Sequence, residues 1–118
     1  MKEDRFFPSS VEVRPAMASI RSAYENDSDM LEIVREFANE LPARIAKLES
    51  HLAAGEMREL QTLAHQLKGA GGGYGFPQIT ELAASLESAL KQGMDEAAVK
   101  DRAHALCDTL RSVVVPGA

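Results

Sequence analysis

The sequence predicts an all-α protein: an antiparallel up-down four-helix bundle with a short extra N-terminal helix. Three observations predict it. Apolar residues recur at alternating spacings of three and four in four separate stretches. Gly or Pro punctuates the boundaries between them. No segment sustains period-two alternation, and the Val113-Val114-Val115 run is too short for a strand. Long helices joined by short loops favour the up-down arrangement.

In chain order, residues 1–14 carry no helical period. Phe6, Phe7, Val11 and Val13 are their apolar handles, read as a tail that drapes over the domain or as a partner-binding arm. A single domain is expected over residues 15–114, with a frayed tail at 115–118. Pro15 suits a first helical turn and opens a short helix from Ala16 to about Tyr24, burying Met17, Ile20 and Tyr24. Asn26 to Asp29 supply N-caps for a long helix from about Ser28 to Ala53. Its seam is Met30, Val34, Phe37, Leu41, Ile45, Leu48 and Leu52. Pro42 interrupts it and has no N–H for the Ala38 carbonyl; the continuous seam favours a kink over two helices. Gly55 closes it in the C′ position.

A third helix runs from about Glu56 to Gly72, and Tyr74-Gly75-Phe76-Pro77 turns out of it. The next, about Pro77 to Gln92, buries Ile79, Leu82, Ala83, Leu86, Ala89 and Leu90, and Gly93 ends it. Asp95 is the expected N-cap of a last helix, about Glu96 to Val114, burying Val99, Ala103, Leu106, Leu110 and Val113.

Composition narrows the function. The chain has 118 residues, 45% of them apolar, enough for one core. A net charge of −5 argues against nucleic acid as a partner. Cys107 is the only cysteine, which rules out an intrachain disulfide and fits a reducing cytoplasm. No apolar run reaches membrane-spanning length, so no membrane insertion is expected. The three histidines and Cys107 show no metal-ligand spacing. The run Gly69-Ala70-Gly71-Gly72-Gly73-Tyr74-Gly75 is no phosphate loop, because Phe76-Pro77 follows it where Lys-Ser/Thr is needed.

The chemistry concentrates in the third helix. At roughly 100° per residue, Met57, Leu60, Leu63, Ala64, Leu67 and Gly71 share one arc. Arg58, Gln61, Thr62, His65, Lys68, Gly69 and Gly72 fall on the adjoining polar shoulder. His65 therefore faces solvent, and an exposed neutral imidazole is a nucleophile. Lys68 at i+3 offers a cation to an anion acquired by the ring. Gly69 leaves its flank bare. Four glycines from Gly69 to Gly73 disfavour a helix by about 1 kcal/mol each relative to alanine, which points to close approach of another surface. His51 and His104 lack such neighbours and are assigned no function.

Ala64-His65-Gln66-Leu67-Lys68-Gly69, with Gly75 ten positions after the histidine, resembles the histidine-containing phosphotransfer domain of multistep two-component signalling. Leu82-Ala83-Ala84-Ser85-Leu86-Glu87 resembles the family's following helix. The resemblance implies that His65 takes a phosphoryl group from a receiver-domain aspartate, with Lys68 and Gly69 beside it. It implies partners among response-regulator receivers and hybrid histidine kinases, no cofactor of its own, and Mg²⁺ on the receiver alone. A monomer without autonomous kinase activity is expected. In an antiparallel bundle the level of His65 is regained near Glu87. Glu87, Lys91 and Gln61 are thus candidates to support it, Glu87 by orienting the ring and Lys91 as a second cation. Two alternatives remain: the phosphoacceptor module of a chemotaxis-type kinase, and a helical adaptor that binds receivers without taking phosphate.

Overall fold

A computed structural model of the chain describes residues 19–116. Residues 1–14, and the start of the short helix expected from Ala16, lie outside the described residues. Within them there are four helices: α1 Leu31–Ala54, α2 Met57–Gly73, α3 Pro77–Lys91 and α4 Glu96–Arg111. Each packs on its sequence neighbours, and α1 also packs on α4, so the four close into a ring. The most extensive interface is between α2 and α3.

The apolar periods explain the core. Val34, Phe37, Leu41, Ile45, Leu48 and Leu52 of α1 are buried, and α1 runs through Pro42 as one helix. Leu60, Ala64 and Leu67 face them from α2, while Ile79, Ala83, Leu86 and Leu106 come from α3 and α4. Phe76, in the turn between α2 and α3, is fully buried. It sits 5.9 Å from Phe37, whose other neighbour, Tyr74, stacks on it at 4.6 Å. Gly55 ends α1 at φ +72°. The Asp95 side chain caps α4 by accepting from the Ala98 N–H at 2.9 Å.

Five expectations are corrected. Residues 19–24 are not helical: Ile20 forms a parallel β-bridge with Val113. Two of their backbone N–H groups bond to distant chain, Ile20 N–H to the Ser112 carbonyl at 2.8 Å and Ala23 N–H to the Gly75 carbonyl at 2.9 Å. Tyr24 is exposed, not buried. Helix α1 starts at Leu31 without a side-chain cap, because Asp27 instead accepts from the Asp29 N–H in a local turn. Helix α4 stops at Arg111, freeing Val113 for the bridge, and Pro116 is not frayed but buried, its carbonyl held by Arg35 at 3.0 Å.

Candidate functional site

Two buried residues aim His65. Ala64 and Leu67 are sealed in the core, which leaves the intervening turn of α2 facing out. The His65 side chain is 67% exposed. The neighbouring helix comes close because Gly71 has no side chain: a Cβ there would stand 2.7 Å from both the backbone nitrogen and the hydroxyl of Thr80. The same hydroxyl donates to the Lys68 carbonyl at 2.8 Å, which pins the start of α3 to α2. Further along, α3 then carries Glu87 under the imidazole.

Glu87 is the one carboxylate buried among the described residues. Its oxygens are divided among three partners. Oε2 lies 2.9 Å from His65 Nδ1 and 3.4 Å from Lys91 Nζ, and Oε1 lies 2.7 Å from Lys68 Nζ. The Lys68 hydrogen bond is the main force holding the carboxyl down, to about 2; burial pushes the other way, and the bonds from His65 and Lys91 add to the lowering. At neutral pH Glu87 is thus an anion that can only accept. The neutral imidazole must then place its proton on Nδ1 and its lone pair on Nε2.

The structure brings together His65, Lys68, Glu87 and Lys91 by direct contact. Gln61 joins them along the rim of an open depression of about 400 Å³, lined also by Arg58, Thr62, His65, Glu87 and Lys91. Beyond its chain neighbours and its own helix backbone, a Cβ at Gly69 would meet nothing within 4 Å, so the space it leaves is on the outer surface. Lys68 is not free beside the ring but committed to Glu87. The sequence places Arg58 on this stripe and Thr80 on the shoulder of the following helix that carries Glu87 and Lys91, and assigns neither a part. Arg58 was legible from its seven-residue spacing to His65; the Thr80 contact was not, since it depends on how closely two helices approach.

The remaining titratable candidates sit elsewhere. His51 Nδ1 lies 2.7 Å from Glu56 Oε1, and His104 is exposed on α4. Burial raises the Cys107 thiol to about 11, so it stays protonated and unreactive. Among the described residues no three His, Cys, Asp or Glu side chains stand close enough to hold a metal ion, and no helix is long and apolar enough to cross a membrane.

A comparison with protein families matches residues 32–114 to the Hpt domain. No curated protein and no solved structure matches the chain.

Proposed function

The chain belongs to the Hpt domain family, and on that premise we propose that it relays phosphoryl groups, accepting one on His65 from a receiver-domain aspartate and passing it to another receiver. The observation that carries this reading is the exposed imidazole whose Nδ1 is tied to a buried, ionised Glu87. That bond leaves the Nε2 lone pair pointing outward.

In the proposed step Nε2 attacks phosphorus in line with the departing aspartate oxygen. The N–P bond forms as the P–O bond breaks, and the aspartate carboxylate leaves with the electron pair. The ring keeps its Nδ1 proton and so gains a positive charge, which the Glu87 carboxylate stabilises. Return of the phosphoryl group to an aspartate reverses each change. Positioning and charge neutralisation carry such transfers. Lys68 and Lys91 hold Glu87 ionised and in place, and Gly69 leaves room for the visiting domain. Mg²⁺ is assigned to the receiver. The antiparallel arrangement of the bundle fits the pairing of Gly71 with Thr80 and of His65 with Glu87, in which later α2 residues meet earlier α3 residues.

The test is labelling by a phosphorylated receiver. Wild type should acquire acid-labile, base-stable phosphate, and His65→Gln should acquire none. A His65→Gln protein that still accepted phosphate would refute the assignment. Labelling only by a kinase ATP-binding domain with ATP would instead favour the chemotaxis-type module.

A further inference from the structure

We infer that Arg58 is a phosphoryl-binding residue of the relay site, closing the depression around a dianion carried on His65. The inference rests on the phosphohistidine reading above and adds a contact to it.

Arg58 and His65 are seven residues apart in α2, two turns and about 10.5 Å along the axis. Seven steps bring the helix back to nearly the same face, and both side chains line one depression with Gln61 and Thr62 between them. A phosphoryl group on Nε2 enters the space between them.

The charges single Arg58 out. Lys68 is already held by Glu87 at 2.7 Å and does not line the depression. Lys91 lines it but is drawn to Glu87 Oε2 at 3.4 Å. Arg58 is exposed, and its guanidinium has no ion-pair partner among the described residues. It is the fixed cation of the site that no resident carboxylate has claimed. Arg58 and Lys91 on the lining, with Lys68 held to Glu87 outside it, set three cations against one carboxylate, an excess of two positive charges at the depression and its immediate border, in a chain whose net charge is −5. A phosphoryl dianion matches that excess, and a guanidinium presents paired donors to two of its oxygens.

The experiment labels the full chain with phosphoramidate, and separately with a phosphorylated receiver, then follows the phosphorus resonance of phosphorylated His65 against pH. The groups facing the phosphoryl are Arg58 from α2 and Lys91 and Glu87 from α3, with Lys68 behind Glu87. A cation on the phosphoryl oxygens favours the dianion and lowers the midpoint of its last ionisation. Arg58→Ala should raise that midpoint by about 0.5 to 1 pH unit, Arg58→Lys should restore part of the shift, and the helical circular dichroism should not change. An unchanged midpoint in labelled Arg58→Ala overturns the inference, even if transfer to the receiver slows, because Arg58 would then face the partner and not the phosphoryl. A wild-type chain that takes label from neither donor overturns the underlying reading, and this inference with it.

Discussion

Glu87 shows how one side chain can set the state of another. Replacing it by Gln keeps the size and an acceptor oxygen but removes the charge that three donors share. The Nδ1–H tautomer loses its preference, and the ring cation formed on phosphorylation loses its counter-charge. Transfer to Glu87→Gln should slow about tenfold or more, about 1.4 kcal/mol on the barrier, measured as initial rate of label uptake. Stability carries a matching signature. The Glu87 carboxyl lies at about 2 in the fold against an ordinary 4.5, so between those values the unfolded chain binds more protons. Its contribution is complete above about pH 4.5 and is lost as pH falls through about 2. Urea midpoints across that window should fall more steeply for wild type than for Glu87→Gln. The His65–Glu87 proximity was legible in the sequence because helical rise alone sets the level at which α3 returns. The hold of Glu87 on both lysines was not, since it depends on burying the carboxylate and leaving no other anion within reach.

Among the helices, the glycine-rich end of α2 divides into two roles. Gly71 is required by packing: a Cβ would come 2.7 Å from the Thr80 backbone nitrogen and 3.0 Å from Ile79 Cβ. Gly71→Ala should therefore cost about 1–3 kcal/mol through overpacking, despite a gain of about 1 kcal/mol in helix propensity. Gly69→Ala meets no atom of its own chain and should gain stability by about 0.5–1 kcal/mol, while slowing transfer to a receiver that approaches the His65 face. Urea unfolding and label transfer, run on both variants, separate the two roles. The sequence asked one explanation of all these glycines and could not sort them, because which ones meet a neighbouring helix depends on register. The helices themselves were legible. Each apolar seam names its buried face, as Val34 to Leu52 does across Pro42, and Gly55 and Asp95 mark ends that the backbone respects. Phe76 was missed, and Ile20 was expected on a helix where it forms a bridge, for the converse reason: both are placed by contacts with distant chain and not by a local period.

Taken whole, the molecule is a ring of four helices whose working face lies on α2 and α3, while the paired segments at Ile20 and Val113 tie the start of the described fold to its end. Ile20 N–H donates to the Ser112 carbonyl and Val114 N–H donates to the Ile20 carbonyl, both at 2.8 Å. Such proximity makes the order in which the helices are strung negotiable. A circular permutant that joins residue 116 to residue 19 through a short flexible linker, and opens the chain at the exposed turn of Gly93 and Met94, should keep wild-type circular dichroism and take label on His65. Failure of that permutant to fold would show that the bundle needs its native connectivity.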